Sequence, residues 1–276
     1  MTDHAAPTVT HQPSDAARMR DRVPAQSLIE QVLRARAALR PRTRLEQAVG
    51  VDPVGPQALS WYAGAMGERV VAGRLAGLPE GWTVFHSVPV GRDGADIDHL
   101  VVGPGGVFTV EVKAHEGAHV GARGGTVLMG GAGRPSAQRA QAQARRVDRI
   151  VSEVLAEGPV VRPVIAVLGT TRIVVRAQSR GAHVLRAEEL CRFLLTQPRR
   201  LSPAEVDALV ERFDDVRSWQ PVQEAGPELL VAFAGLARDV RRAARVRVTW
   251  LVGLLGLTAA GSAALLLPGV ALLLGR

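Results

Sequence analysis

Apolar and polar positions along the chain follow two periods, one typical of helices and the other of strands. Helical spacing or composition favours helices over 25–40, 57–78, 136–156, 202–217 and 227–245. Strand signals bounded by turn residues cover 82–90, 96–102, 107–114, 126–129 and 164–169, with shorter ones near His119 and just before Ala187. The pattern predicts an α/β fold in which a mixed sheet is flanked by helices, followed by a helical extension.

The last segment differs because residues 248–274 carry no charged side chain. As one helix at 1.5 Å per residue it would be roughly 40 Å long, enough to cross a hydrocarbon core of ~30 Å. Four arginines precede it: Arg241, Arg242, Arg245 and Arg247. The positive-inside rule then predicts a single-pass protein of the cell membrane with its N-terminal domain in the cytoplasm. A buried core helix, or a hairpin bent at Gly261–Ser262, is the alternative.

The same patterns divide the chain into five parts. We expect a disordered tail over 1–24, a helix and linker over 25–56, an α/β domain over 57–200, a helical extension over 201–247 and the membrane helix over 248–274. The first residues have no apolar core, so they are not a signal peptide. A single cysteine, Cys191, excludes an internal disulfide and a cysteine-based zinc cluster.

The charge balance adds one peculiarity. The formal net charge is +8 over 276 residues, which suits contact with phosphates or anionic lipid. Of the 34 basic residues only Lys113 is a lysine. It stands two positions after Glu111, in the strand that follows the turn "GPGG" at 103–106.

The turn predicts a hairpin that gathers charges on one face. If the hairpin is symmetric about Pro104–Gly105, Asp98 faces Glu111 and Asp96 faces Lys113. Like charges directly opposed across two strands repel, so Asp98 and Glu111 call for a neutralising cation. Hard oxygen ligands suit Mg²⁺ or Mn²⁺, and a neighbouring lysine could polarise water or stabilise charge on a phosphate. The alternative is an exposed Asp96–Lys113 ion pair beside two solvated carboxylates.

Three stretches carry a family resemblance: "GERVVAGRL", "DIDHLVVGPGGVFTVEVKAHEG" and "RPSAQ". Together they resemble the NERD (nuclease-related) domain, which is similar to the PD-(D/E)xK, restriction-endonuclease-like nucleases. The resemblance covers roughly 61–169 and extends toward 195. It departs from the family at Arg134-Pro135, where Asn-Pro is frequent, and in lacking a tryptophan in the strands after the lysine.

The resemblance implies a restriction-endonuclease-like fold and a role for each matching residue. Glu68 on the first helix, Asp98 and Glu111 would bind the metal, and Lys113 would assist the attack of water. Gln138 would point toward the site from the next helix. His99 falls on the opposite strand face by alternation, and we interpret it as a structural histidine rather than a ligand.

These observations predict a metal-dependent nuclease, using Mg²⁺ or Mn²⁺, held at the cytoplasmic face of the membrane. We expect nucleic acid as the partner, with DNA favoured over RNA. Four arginines share the helix of Gln138 and could meet a phosphate backbone: Arg139, Arg145, Arg146 and Arg149. A non-catalytic module that binds nucleic acid or a nucleotide, and a membrane-tethered interaction scaffold, are the alternatives.

Overall fold

The computed structural model describes residues 18–90, 96–114, 120–123, 126–129, 132–134, 136–158, 161–169, 173–175, 181–221 and 228–274. Between 120 and 134, over 173–175 and beyond 258, it describes the backbone alone. The chain forms two compact units. The first comprises the residues up to Ser27 together with Gly64–Glu224, and the second comprises Leu28–Ala63 together with the residues from Ala225 onward.

Over the described residues the helices and strands come in runs: three helices, six strands, one helix, three strands and three helices. The helices are α1 Gln26–Ala37, α2 Arg44–Ala48, α3 Leu59–Leu75, α4 Ser136–Val154, α5 Leu190–Leu195, α6 Pro203–Asp214 and α7 Glu228–Leu274. The strands are β1 Thr83–Pro89, β2 Asp96–Gly103, β3 Gly106–Ala114, β4 Val120–Arg123, β5 Thr126–Met129, β6 Ala132–Arg134, β7 Arg162–Leu168, β8 Ile173–Val175 and β9 His183–Arg186.

A five-stranded mixed sheet is the centre of the first unit, in the order β1-β2-β3-β7-β9. The first three strands are antiparallel neighbours, whereas β7 runs parallel to β3 and β9 parallel to β7. The crossover from β3 to β7 contains α4, as a parallel connection requires. A second sheet, β6-β5-β4-β8, is built largely from the same crossover. The predicted mixed sheet flanked by helices is confirmed.

Each face of the large sheet carries its own apolar core. The alternation of side chains along a strand decides which of the two cores each residue belongs to. Leu100, Val102 and Val107 pack with α4 and α6. Val101 and Phe108 face the other way and pack with α3 and α5. Successive side chains point to opposite faces, so neighbours in sequence belong to different cores.

The described end of the predicted tail is folded. Met19 is buried in the core with Phe213. Arg20 Nε donates to Asp214 Oδ2 at 2.6 Å, which ties this segment to the end of α6. The rest of the predicted tail, up to residue 17, lies outside the described residues.

The second unit joins α7 to the segment around α2. Tyr62 and Phe233 stack with ring centroids 5.7 Å apart. Gly50, at φ +76°, lies so close to α7 that a Cβ there would be 2.6 Å from the Ala243 carbonyl oxygen. Arg247 Nη1 donates to Gly50 O at 2.6 Å, and Trp250 Nε1 donates to Ala48 O at 2.8 Å. These contacts fix α2 against the middle of α7.

Helix α7 continues well past the helix predicted over 227–245 and ends at Leu274. Across the described part of the chain, no helix is both long and apolar enough to cross a membrane. The predicted membrane helix over 248–274 therefore gains no support from the structure, and its side chains beyond 258 lie outside the described residues.

Candidate functional site

The candidate site lies where the ladder between β2 and β3 ends. The pairing begins at the turn with Gly103 opposite Gly106 and stops at His99 opposite Val110. Beyond that point the Val112 N–H donates to Asp98 Oδ2 at 2.6 Å. A side chain of β2 thus takes over the role of a backbone acceptor.

The expected hairpin register is confirmed, with Val102 opposite Val107, but the ladder is shorter than expected. It ends at His99 and Val110, so it does not include the expected Asp98–Glu111 and Asp96–Lys113 pairs. On its other edge β2 pairs with β1, where Asp96 lies opposite Pro89. The expected face-sharing of Glu111 and Lys113 is confirmed, since the two side chains form an ion pair at 2.6 Å between Nζ and Oε1.

Glu111 is the most deeply buried member of the cluster, with 4% of its side chain exposed, against 25% for Lys113. Its Oε1 is held by the ammonium. Among the described residues no hydrogen-bond donor reaches its buried Oε2. A buried carboxylate oxygen without a partner is costly, so this oxygen is suited to accept a cation or a hydrogen-bond donor.

Glu68 reaches this cluster because α3 lies close against the ends of the strands. At Gly67 an added Cβ would lie 3.1 Å from the Ala114 Cβ and 3.4 Å from Leu168 Cδ1. The absent side chain lets α3 approach β3 and β7 closely. The next residue, Glu68, is buried and interacts electrostatically with Asp98.

The carboxylates strongly perturb one another. Burial raises the pKa of Glu68 well above its ordinary value; Asp98 and Asp96 raise it further, and Lys113 opposes them. Burial also raises the pKa of Asp98 to about 7, opposed by its hydrogen bond from Val112 and by Lys113, while Glu111 and Asp96 add to the rise. In both groups burial is the main cause, because it disfavours the charged form of a carboxyl group.

The structure therefore brings together four predicted site residues, Glu68, Asp98, Glu111 and Lys113, and adds Asp96. As the described side chains stand, no group of three or more carboxylate, histidine or cysteine residues is arranged to hold a metal ion. The ion pair of Glu111 with Lys113 occupies Oε1 and leaves Oε2 as the oxygen that could ligate a metal. Ligation by three carboxylates together would require their side chains to change rotamer.

Gln138 is not part of this cluster as the side chains are placed. It is exposed near the start of α4, and no hydrogen bond or charge contact joins it to the carboxylates within the described residues. A different glutamine of α4 approaches the site. Gln143 is buried, and its Nε2 donates to Asp96 O at 2.9 Å. The helical period places Gln143 on the same face of α4 as Ala140 and Ala144. That position is the sequence feature that could have identified Gln143 as buried.

Two histidines form a contact that the sequence interpretation missed. His99 is fully buried, as a structural histidine should be, but it has a partner: its Nδ1 lies 2.9 Å from Nδ1 of His86. The two residues are directly opposite on β1 and β2. Burial lowers the pKa of His86 to about 4 and that of His99 well below its ordinary value. Aligning β1 and β2 as neighbouring antiparallel strands would have predicted that His86 lies opposite His99.

The arginines of α4 divide between two environments. Arg139, Arg145 and Arg149 are exposed; Arg145 and Arg149 lie on the side of the helix that carries Gln138, and Arg139 lies about a quarter of a turn away. Arg146 is half-buried, and within the described residues its Nε finds no hydrogen-bond acceptor. The exposed guanidinium groups form a basic strip along the helix that also supplies Gln143.

Comparison with known protein families gives a match over the segment that carries the site. The family model of the nuclease-related domain (NERD) matches residues 63–168. The matched segment begins within α3 and ends with β7, so it contains the carboxylate cluster, Lys113 and Gln138. The match fits the resemblance to the PD-(D/E)xK nucleases. Neither the curated proteins nor the solved structures contain a match to the chain.

Proposed function

We propose that the first unit is a metal-dependent nuclease that hydrolyses phosphodiester bonds of nucleic acid, with DNA favoured over RNA. One observation carries the proposal. Glu111 is buried with one oxygen on Lys113 and the other without a donor among the described residues, beside two carboxyl groups of raised pKa. An arrangement that costs stability by itself is typical of a site adapted to a ligand.

The donor set fits a hard divalent cation. Glu68, Asp98 and Glu111 would hold Mg²⁺ or Mn²⁺, since carboxylate oxygens are the ligands that these ions prefer. The free Oε2 of Glu111 is the oxygen best placed to ligate without displacing Lys113. When bound, the ion would polarise a phosphoryl oxygen and lower the pKa of water.

Lys113 has the position that such chemistry needs. Its Nζ is fixed by Glu111 Oε1 at 2.6 Å while a quarter of the side chain stays exposed. The ammonium can therefore donate a hydrogen bond to a water or a phosphate oxygen arriving from solvent. Its charge stabilises negative charge that develops on the phosphate as the new bond forms. A compact ammonium suits this one-point contact better than a guanidinium fork.

The basic strip of α4 supports nucleic acid as the substrate. Arg139, Arg145 and Arg149 are exposed on the helix that also contacts β2 through Gln143. Guanidinium groups bind backbone phosphates regardless of sequence, and such binding weakens as salt concentration rises.

The test is cleavage by the full-length protein of plasmid DNA and of a structured RNA, with Mg²⁺, with Mn²⁺ and with chelator. We expect cleavage that depends on the metal and is lost in Glu111→Gln. A matched control is Glu153→Gln, since Glu153 lies on α4 and pairs with Arg212 at 2.8 Å while being exposed. The control should cleave as the wild type does.

Two results would count against the proposal. Equal activity in Glu111→Gln and the wild type would place the chemistry elsewhere. Salt-sensitive binding of nucleic acid without cleavage under any metal condition would favour the non-catalytic binding module.

We also propose that the chain is anchored in the cell membrane by 248–274, with the first unit on the cytoplasmic side. The uncharged segment supports this, as do the large apolar side chains between 248 and 257, which are 58–74% exposed. Carbonate extraction of cells should leave the full-length protein in the membrane pellet. Release into the supernatant would contradict the anchor.

A further inference from the structure

A cavity of about 220 Å³ in the second unit has basic walls. Its polar lining comes from three elements or their ends: Arg36 of α1, Arg42 and Gln47 around α2, and Asp239 and Arg242 of α7. Three arginines and one aspartate thus line the cavity. We propose that this cavity binds the phosphate of an anionic phospholipid headgroup.

The three arginines differ in the contacts that their guanidinium groups make within the protein. Arg42 is largely buried; its Nη1 donates to Val51 O at 2.8 Å, and its Nη2 lies 3.9 Å from Asp239 Oδ2. With three arginines and one aspartate, the cavity lining carries a formal charge of +2. Within the described residues no ion pair involves Arg36 or Arg242. Their guanidinium groups remain available to the planar, bidentate contacts that phosphate oxygens accept.

The surroundings of the cavity favour lipid over nucleic acid. Trp250 follows Arg242 by eight positions on α7, about 12 Å along the helix. Between Val248 and Leu257 the large apolar side chains of α7 are exposed on all sides of the helix, Leu257 to 74%. A phosphate in the cavity would therefore have an apolar surface beside it on which acyl chains could lie. The phosphodiester backbone of nucleic acid has no group that this surface would bind.

Helix α2 adds exposed apolar side chains next to Trp250 of α7. Trp250 Nε1 donates to Ala48 O, so the exposed side chains that flank Ala48 in sequence lie beside α7. Leu45 is 73% exposed and Val49 is 46% exposed. Tryptophan is frequent where a membrane meets water, and basic residues just outside that boundary attract anionic lipid. The order of cavity, tryptophan and apolar surface along α7 is that of headgroup, interface and acyl chains.

This inference rests on the proposed membrane anchor but is independent of the nuclease chemistry. The experiment uses full-length protein reconstituted into phosphatidylcholine nanodiscs, with or without phosphatidylglycerol. The melting temperature of the protein and the number of phosphatidylglycerol molecules retained in native mass spectrometry are measured. Arg36→Gln/Arg242→Gln removes two cavity charges and spares Arg42, which has a structural role. Arg238→Gln/Arg245→Gln removes two charges from α7 outside the cavity and is the matched control.

We expect phosphatidylglycerol to raise the melting temperature of the wild type and of the control, because a ligand that binds only the folded state stabilises it. The cavity variant should bind phosphatidylglycerol at least about tenfold more weakly, since charge-assisted contacts are lost. Equal losses in both variants would overturn the site in favour of diffuse charge attraction.

Two further arms identify the source of the phosphate. Inorganic phosphate added to phosphatidylcholine nanodiscs should leave the melting temperature unchanged, and an equal rise would indicate a free phosphate site. An oligonucleotide should not displace the lipid, and displacement would assign the cavity to nucleic acid. Protein that fails to enter nanodiscs overturns the anchor itself. Protein that enters without selecting phosphatidylglycerol overturns only the cavity proposal.

Discussion

Lys113 Nζ lies 2.6 Å from Glu111 Oε1, and the two residues share one face of β3. The pair holds the only lysine of the chain at the edge of a buried carboxylate cluster. An ordinary surface ion pair would leave both partners in water, where it contributes about 0–1 kcal/mol. Here 4% of the acid side chain and 25% of the lysine side chain are exposed, so the pair lies largely out of water and fixes the position of the ammonium.

Substitutions of Lys113 distinguish a catalytic role of this lysine from a purely structural role in the ion pair. We expect Lys113→Arg and Lys113→Ala each to lower the cleavage rate by roughly 10²-fold or more, as when one preorganised electrostatic group is removed. Nucleic-acid affinity should change far less, because the α4 arginines remain. Single-turnover rates and binding isotherms give the two quantities. Wild-type cleavage by Lys113→Arg would show that the pair is only structural, since arginine can also form it.

Asp98 should link metal binding to stability and pH. Its folded pKa of about 7 lies above the ordinary 3.8, so the folded state binds a proton more tightly than the unfolded state. The contribution of Asp98 to folding stability is therefore greatest below pH 3.8 and is lost as the pH rises through 7. Asp98→Asn should remove this loss and raise the melting temperature at pH 8 more than at pH 5.

Mn²⁺ provides the second readout for Asp98. It should raise the melting temperature of the wild type at pH 8, and less at pH 6, where protons compete for the carboxylate. In Asp98→Asn the rise should be small at both values. An unchanged response to Mn²⁺ in Asp98→Asn would remove Asp98 from the metal-binding residues.

The His86–His99 contact should make the fold sensitive to acid. The folded pKa of His86, about 4, lies below the ordinary 6.5, so the unfolded state binds the proton more tightly. The contribution of neutral His86 to folding stability is fully present above pH 6.5 and is lost as the pH falls toward 4. The urea concentration at the unfolding midpoint is measured for the wild type and for His86→Gln between pH 4 and pH 6.5. The two midpoints should differ most near pH 6.5 and least near pH 4. A difference that does not vary with pH would contradict the buried neutral pair.

Two glutamines of α4 should behave differently when truncated. Gln143→Ala removes a buried hydrogen bond to Asp96 O and should lower the free energy of unfolding by about 1–3 kcal/mol. Gln138→Ala changes an exposed side chain and should alter stability by less than about 0.5 kcal/mol. Denaturant titration gives both values. If Gln138→Ala is stable but inactive, Gln138 takes part in the active site, toward which the family resemblance implies that it points.

Local sequence determined most of the elements and one half of the site. The turn at 103–106 and the period of two in the strands placed Val102 opposite Val107 and put Glu111 and Lys113 on one face. These outcomes depend on backbone geometry that repeats within a few residues, so they can be predicted without knowing what the strands pack against. The helix starting near 136 and the buried strand at 164–169 were predictable for the same reason.

Only the tertiary structure decided how the rest of the site assembles. The β2–β3 ladder ends at His99 and Val110, because Asp98 accepts the Val112 N–H in place of a backbone carbonyl. Glu68 arrives because Gly67 lets α3 pack close to Ala114, a contact between residues distant in sequence. Which glutamine of α4 meets β2 depends on the rotation of that helix against the sheet. Such contacts are set by the packing of non-local surfaces, which no periodicity along the chain encodes.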